Sequence, residues 1–196
     1  MTQLSRFAKW CFAGLAGALL LGALWTARPA AAWSNDYQPD TPTATFTVNS
    51  TDDFPDLLLN GVCATAFGTC TLRAAIQEVN NTGGASGPHA INFNIAGAGP
   101  HTIQIFSPLP RLERAVVIDG TTEFGATCPT STLTANIMIV IDGTPIGSDV
   151  ARGLDLWRNA TAPSGSPIKG VAIGGFGYGV WLDGAGPAVK CRHIGL

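Results

Sequence analysis

The stretch Gly68-Thr-Cys-Thr-Leu-Arg-Ala-Ala-Ile-Gln-Glu-Val-Asn-Asn-Thr82 (GTCTLRAAIQEVNNT) differs in pattern from the sequence around it. Its apolar residues recur at the helical spacing i, i+3, i+4 and i+7, which forms one apolar face from Leu72, Ala75, Ile76 and Val79. Thr71 is a suitable N-cap, and the pair Gly83-Gly84 is typical of a helix end. We therefore predict one short amphipathic helix near the front of the chain.

The sequence after Gly87 is typical of an all-β protein. Short runs rich in Ile and Val alternate with turns rich in Gly, Pro, Asn and Asp. The predicted strands of this part are 91–95, 102–106, 115–120, 137–143, 153–157, 170–174 and 179–184. A further short strand, Phe46–Val48, precedes the helix. No second helical pattern follows, so the predicted helix stands alone among strands.

An apolar-Asp-Gly ending recurs three times in these strands, at Asp119-Gly120, Asp142-Gly143 and Asp183-Gly184. A spacing of roughly 20–25 residues is typical of one coil of a parallel β-solenoid. The first two copies are separated by one such length and the last two by nearly two, so we expect these turns to stack on one edge of successive coils. A β-sandwich, which also has short strands and tight turns, stays open. In a solenoid, the helix would cover the apolar end and the unpaired strand edges of the first coil.

Residues 1–32 have the pattern of a secretory signal peptide. Arg6 and Lys9 precede an apolar run, Phe12–Trp25, and small residues follow up to Ala32. The run is shorter than the roughly 20 residues of a spanning helix, so we expect cleavage near Ala32 and no membrane segment in the mature chain. The protein is then secreted, displayed on the cell surface or released into the periplasm. Residues 33–45 are polar and are predicted to form a flexible leader.

The charge of the chain argues against a nucleic-acid partner. The formal net charge is −2, and charged residues make up only 12% of the chain. The predicted signal peptide contains basic residues but no acidic ones, so its removal makes the mature chain more negative. An acidic surface repels the phosphate backbone of DNA and RNA.

Most of the cysteines lie after the signal peptide, at Cys63, Cys70, Cys128 and Cys191. Because exported chains meet oxidising conditions, we predict that Cys63 and Cys70, which are nearest in sequence, form a structural disulfide. The partners of Cys128 and Cys191 stay open. The spacing of cysteines and histidines does not match a tetrahedral metal site, so we predict no metal and no cofactor.

Three short runs resemble the CSLREA domain, which heads large exported bacterial proteins built as right-handed parallel β-helices of the pectin-lyase type. They are FTVNST (46–51), GVC (61–63) and GTCTLRAAI (68–76). The signature here has Thr71 in place of Ser and Ala74 in place of Glu, so only half of a capping box remains. The resemblance implies an N-terminal cap over residues 46–87, closed by the helix, and parallel β-helix coils over residues 88–196.

The best candidates for catalysis are Asp119, Asp142 and Asp183, because a glycosidase needs two carboxylates roughly 5–9 Å apart. However, Asp-Gly is a common turn pair, and no basic or histidine partner is evident for these acids or for Asp155. We therefore interpret them as coil turns. A second group of acids, consisting of Asp52, Asp53 and Asp56, is interpreted as a solvated loop, with a calcium site as the alternative.

The histidines and the late aromatic residues have less specific patterns. No nucleophile accompanies the histidines, so we expect loop or rim positions for His89, His101 and His193. We expect core positions for the aromatic residues, with stacking on sugar rings as the alternative, at Trp157, Phe176, Tyr178 and Trp181.

Together these patterns predict a non-catalytic, exported β-helix scaffold that binds extracellular glycans or surface proteins. The main alternative is the N-terminal part of a polysaccharide lyase or glycoside hydrolase, with its catalytic coils beyond Leu196. A third interpretation is a remnant without function. Because the sequence has no closing segment before Leu196, we expect a longer protein or a shortened copy, and self-association through the uncapped last coil.

Overall fold

The computed structural model describes residues 41–83, 88–128, 135–147, 149–157 and 168–183, together with the backbone of two short strands at 189–190 and 193–194. In chain order the elements are β1 (Thr45–Val48), α1 (Leu72–Asn81), β2 (His89–Phe93), β3 (His101–Gln104), β4 (Val116–Asp119), β5 (Ile139–Asp142), β6 (Arg152–Leu156), β7 (Ile168–Lys169), β8 (Val171–Gly174), β9 (Tyr178–Leu182), β10 (Val189–Lys190) and β11 (His193–Ile194). Two single turns of 3₁₀ helix follow β4 and β5, at Gly120–Thr122 and Thr144–Ile146.

The strands form three sheets in which every named pair is parallel. The first sheet has the order β1-β2-β4-β7-β10, the second β11-β8-β5-β3, and the third contains β6 and β9. Apart from β1 and β2, which are joined through the helix, the pairing strands never follow each other directly in sequence. A parallel neighbour requires the chain to leave the sheet and return in the same direction. In the part of the chain that the structure describes, the prediction of strands with one α-helix is confirmed.

The connections between pairing strands differ in length. Thr45 pairs with Ala90 across the long segment that contains the helix, whereas His89 pairs with Val116 over a much shorter one. In the second sheet His101 pairs with Ile139, and the connection between them is intermediate in length. No single period therefore describes the chain.

The expected stacking of the three Asp-Gly turns on one edge is wrong. Asp119 ends β4 in the first sheet, Asp142 ends β5 in the second, and Asp183 follows β9 of the third. The number of residues between Asp119 and Asp142 therefore corresponds to the passage of the chain from the first sheet to the second. It is not the length of one coil, which would bring the chain back to the same sheet. Gly184 lies outside the described residues.

The glycines after Asp119 and Asp142 are required by close packing. A Cβ atom added to Gly120 would collide with the carbonyl group of Gly170, and one added to Gly143 would collide with the ring of Phe176. Both glycines therefore allow the neighbouring segment of chain to approach the turn.

The core consists of aliphatic and aromatic side chains aligned across the strands. In the first sheet the register aligns Phe46, Ile91, Ile118 and Ile168, all of them buried. In the second sheet it aligns the buried residues Ile103, Ile141 and Ile173. Strands lie roughly 4.8 Å apart, so aligned side chains are in contact along each sheet and stay shielded from water.

The helix α1 packs against β1, the terminal strand of the first sheet, and against β2. It begins directly after Thr71, whose side-chain oxygen accepts a hydrogen bond from the Ala74 N–H at 3.1 Å and donates one to the Phe54 carbonyl at 2.6 Å. Its predicted apolar face is completely buried in the core and consists of Leu72, Ala75, Ile76 and Val79. The helix thus covers the β1 side of the first sheet.

A disulfide joins Cys63 to Cys70, as predicted from the sequence. It closes a loop directly before the helix and thereby holds the N-cap residue close to the loop. Cys128 is also disulfide-bonded, and Cys191 lies outside the described residues. Within the described ranges, the structure contains no helix with the length and apolarity needed to cross a membrane.

Candidate functional site

A groove with a volume of about 600 Å³ lies between the loop that precedes the helix and the exposed side of β3. It is lined by Thr51, Asp52, Asp53, Phe54, Thr102, Gln104, Phe106 and Ser107. A smaller depression of about 230 Å³ shares Thr102 with the groove and extends over β5 and β8, where Asp142, Thr144 and Gly174 line it. We refer to these two connected depressions as the sheet groove.

Strand alternation produces the polar floor of the sheet groove. Ile103 points into the core, so its neighbours Thr102 and Gln104 point outward and are exposed. On β5, Ile141 is buried in the same way, and Asp142 is half-buried on the outer side. The floor therefore presents a hydroxyl, an amide and a carboxylate on adjacent strands.

Two phenylalanine rings lie beside this polar floor. Phe106 is 65% exposed and Phe54 is 46% exposed, although both are large apolar side chains. The Phe54 ring packs against Phe67, with 4.8 Å between the ring centroids. Rings that stay in water next to hydrogen-bonding groups are typical of ligand sites rather than of core packing.

Arg73 holds the two walls of the sheet groove together. Its guanidinium binds both carboxylate oxygens of Asp53, at 2.9 and 2.8 Å, and also the carbonyl oxygens of Ser107 at 2.6 Å and Pro108 at 2.9 Å. Asp53 in turn accepts a hydrogen bond from the Phe106 N–H at 2.9 Å. Both charged side chains are almost completely buried. The groove is therefore built around one ion pair.

Two buried charged residues of the helix, Arg73 and Glu78, were missed from the sequence. Glu78 is fully buried. Its two carboxylate oxygens accept hydrogen bonds from the N–H groups of Asn60 and Gly61, at 3.0 and 2.8 Å. A charged side chain on the buried side of a short helix needs such partners. For Arg73, the acidic residues in the loop before the helix could have indicated a buried ion pair.

The loop acids are structural groups, so the interpretation of a solvated loop is wrong for Asp53 and Asp56. Asp53 belongs to the buried ion pair, and Asp56 accepts hydrogen bonds from the N–H groups of Leu58 and Ala64 at 2.9 and 2.8 Å. Among the described residues, no three His, Cys, Asp or Glu side chains come together to hold a metal ion.

The first two Asp-Gly turns bind their own backbone. Oδ1 of Asp119 accepts hydrogen bonds from the N–H and hydroxyl of Thr121, and Oδ1 of Asp142 accepts the same pair from Thr144. The expectation that Asp119 lacks a basic partner is wrong, because its Oδ2 lies 2.8 Å from Nζ of Lys169 on the adjacent strand. Both carboxylates serve as turn caps, and the Lys169 pair joins neighbouring strands.

Asp155, for which the sequence shows no partner either, lies between two arginines. Its Oδ2 is 3.1 Å from Nε of Arg111 and 2.8 Å from Nη1 of Arg152. The two guanidinium groups stack on the indole rings of Trp157 and Trp181, at 4.5 and 4.1 Å from the ring centroids. These contacts form a cation–π strip along β6 and β9.

The expected core positions are therefore wrong for most of the late aromatic residues. Trp157 and Trp181 are half-buried beneath the arginines, and Tyr178 is exposed and packs edge-on against Trp181. Phe176 alone follows the expectation, since it packs against the core. The strip could not be predicted from residues adjacent in sequence, because Arg111 comes from a distant part of the chain.

His89 and His101 do not occupy the loop or rim positions that we expect from the sequence. Both are buried at the start of a strand, β2 and β3 respectively, and His193 begins β11. Nε2 of His89 is 2.9 Å from the Thr82 hydroxyl, and Nε2 of His101 is 3.9 Å from a carboxylate oxygen of the buried Glu123. His89 and His101 therefore belong to the buried interior and do not line the sheet groove.

Acidification is expected to destabilise the fold through His89. Burial, with a further contribution from the nearby positive charge of Arg114, lowers the pKa of His89 below its ordinary value of 6.5. The unfolded chain therefore binds the proton more readily, and the stability that neutral His89 provides above pH 6.5 is lost as the pH falls. Urea unfolding at several pH values should show a steeper loss of stability below pH 6.5 than the His89→Gln variant shows. Equal slopes for both proteins would contradict this assignment.

Comparison of the chain with protein-family models, with curated proteins and with solved structures gave no match. The resemblance to the CSLREA domain therefore stays a prediction, and the geometry of the sheet groove is the remaining guide to function.

Proposed function

We propose that this chain is an exported, right-handed parallel β-helix that binds extracellular glycans in the sheet groove without cleaving them. The parallel pairing of all named strands, the aligned buried side chains and the division into three sheets support this architecture. The helix α1 then covers the first coil, as expected from the sequence.

The observation that carries the proposal is the pair of exposed rings beside an uncharged polar row. Phe106 and Phe54 offer flat apolar surfaces to the apolar faces of sugar rings, and Thr102, Gln104 and Ser107 offer hydrogen bonds to sugar hydroxyls. Asp53 is already neutralised by Arg73, and the other carboxylates that line the groove, Asp52 and Asp142, repel negative charge. The groove therefore favours a neutral glycan over an acidic one.

The same geometry favours binding over hydrolysis. A glycosidase needs a general acid and a second carboxylate flanking the bond to be cleaved. In the groove the oxygens of Asp53 are taken by Arg73 and the Phe106 N–H, and Oδ1 of Asp142 is taken by its own turn. Of the remaining lining residues Asp52 alone carries a carboxylate, and its Oδ2 already accepts a hydrogen bond from Ser50.

Export is the second part of this proposal. The Cys63–Cys70 disulfide is compatible with an oxidising compartment, and the basic, apolar and small-residue order of positions 1–32 is that of a signal peptide. N-terminal sequencing of the protein recovered outside the cytoplasm tests it. A mature terminus at Trp33 is expected, and an intact Met1 would contradict it.

Replacement of Phe106 by alanine is expected to weaken glycan binding at least about tenfold, because an aromatic side chain that the bound sugar covers contributes roughly 1.5–3 kcal/mol. A glycan array screen of the exported chain identifies the ligand, and titration calorimetry of the parent and variant then measures both affinities. The matched control is Phe124→Ala, since Phe124 is 87% exposed and lies outside the groove. Equal affinity of the Phe106 variant and the parent would contradict the proposal. Release of shorter sugars from a bound polymer would favour the alternative of a lyase or hydrolase.

A further inference from the structure

A second surface, separate from the floor of the sheet groove, lies on the loop before the helix. We call residues 54–67 the cap loop. Six large apolar side chains of this loop are about half exposed or more: Phe54 (46%), Leu57 (61%), Leu58 (64%), Leu59 (54%), Val62 (62%) and Phe67 (69%). Soluble monomers rarely leave so many neighbouring apolar side chains in water, and such groups mark contact surfaces.

The cap loop holds these side chains outward on a hydrogen-bonded backbone. Glu78 accepts the Asn60 and Gly61 N–H groups, and Asp56 accepts the Leu58 and Ala64 N–H groups. The Leu57 N–H binds the Ala64 carbonyl at 2.8 Å. Because these backbone donors are satisfied inside the protein, the loop can lose contact with water without losing hydrogen bonds.

The cap loop also lacks charge over most of its length. No Asp, Glu, Lys or Arg occurs from Leu57 to Leu72, and no Lys or Arg occurs from Trp33 to Leu72. Peripheral membrane surfaces combine apolar residues with basic ones that attract anionic lipids. Here the neighbouring charges are the acids Asp52, Asp53 and Asp56, so the surroundings of the loop disfavour an anionic membrane.

We propose that the cap loop is a self-association surface and that its partner is the cap loop of a second copy of this chain. The five of these side chains that do not line the sheet groove leave roughly 500 Å² of apolar surface per copy, so two facing copies bury roughly 1,000 Å², which is the lower limit for a specific interface. An uncharged apolar surface is complementary to itself, and a two-fold axis brings identical surfaces together.

This interface differs from the self-association that we expect from the sequence at the last coil. It is formed by the N-terminal cap, it joins two copies and no more, and it leaves the later coils free. The residues Leu57, Leu58 and Val62 do not line the sheet groove, so their replacement tests the interface separately from glycan binding.

Replacement of Leu57, Leu58 and Val62 by serine together is expected to convert a dimer into a monomer. Sedimentation velocity of the exported chain from about 1 to 100 µM, a range suited to an interface of this small size, measures the mass. The matched control is Phe124→Ser. It removes an apolar side chain that is 87% exposed and lies outside the cap loop, so it should leave the dimer intact. Circular dichroism of the triple variant should retain the parent β-sheet signal, because its three positions are exposed.

A charge-pair experiment adds a readout that a change in folding cannot imitate. Leu58→Asp and Leu58→Lys are each expected to be monomeric at concentrations at which the parent is dimeric, because each puts two like charges, one from each copy, into one small apolar interface. Their equimolar mixture is expected to dimerise. A parent that stays monomeric throughout the range, or a triple variant with the parent's dimer mass, would overturn the proposal. Binding of a monomeric parent to phosphatidylcholine vesicles would assign the loop to lipid instead.

Discussion

Replacement of Arg73 by methionine is expected to lower the free energy of unfolding by about 3–5 kcal/mol, because it leaves a buried charge without its partner. The Asp53 side chain is only 5% exposed and loses two charge-assisted hydrogen bonds. The carbonyl groups of Ser107 and Pro108 lose their donor at the same time. The variant should therefore also loosen both walls of the sheet groove.

Urea unfolding followed by circular dichroism measures this loss. The control variant is Arg111→Met, whose side chain is 31% exposed and pairs with Asp155 near the surface; a partly exposed ion pair of this kind contributes only about 1 kcal/mol or less. The double variant Arg73→Met with Asp53→Leu should recover part of the stability, since it removes the unpaired charge. A loss below about 1 kcal/mol for Arg73→Met would show that the ion pair is not structural.

Replacement of Leu72 and Ile76 by aspartate together is expected to prevent stable folding. Both side chains are completely buried in the core. Truncation of such a residue to alanine already costs about 2–5 kcal/mol, and a buried unpaired charge costs more. A domain has about 5–15 kcal/mol of total stability, so two such changes remove most or all of it. The double variant should aggregate, because it exposes apolar surface on the β1 side of the first sheet.

Circular dichroism and light scattering of the two proteins test this effect. Asn81→Asp is the control, because Asn81 is the exposed residue at the end of the same helix and its replacement should change stability by about 1 kcal/mol or less. A double variant as soluble and as rich in β-structure as its parent would show that α1 does not cover the core.

Local sequence signals were sufficient for most of the secondary structure of the described part. The helix begins after Thr71, as predicted, and ends at Asn81, shortly before the predicted end at Gly83-Gly84. Its position could be predicted because both its cap and its apolar face are encoded within a few residues. Most of the longer strands lie close to their predicted positions for the same reason, since the alternation of apolar and polar residues is visible within a few neighbouring positions of the sequence. The short strands Ile168–Lys169, Val189–Lys190 and His193–Ile194 were missed, because so short a strand shows no alternation.

The candidate site depended on contacts between residues that are distant in sequence. Arg73 meets the loop residue Asp53 and the carbonyl groups after β3, and Asp155 meets Arg111 from a much earlier segment. Strand register determines which outward-facing residues come to lie side by side in the floor of the groove, and register forms only when distant segments pair. The sequence alone therefore determined the elements and their apolar faces. The tertiary structure alone decided which polar groups meet, because charged and aromatic side chains bind partners that the folding of the whole chain brings within a few ångströms.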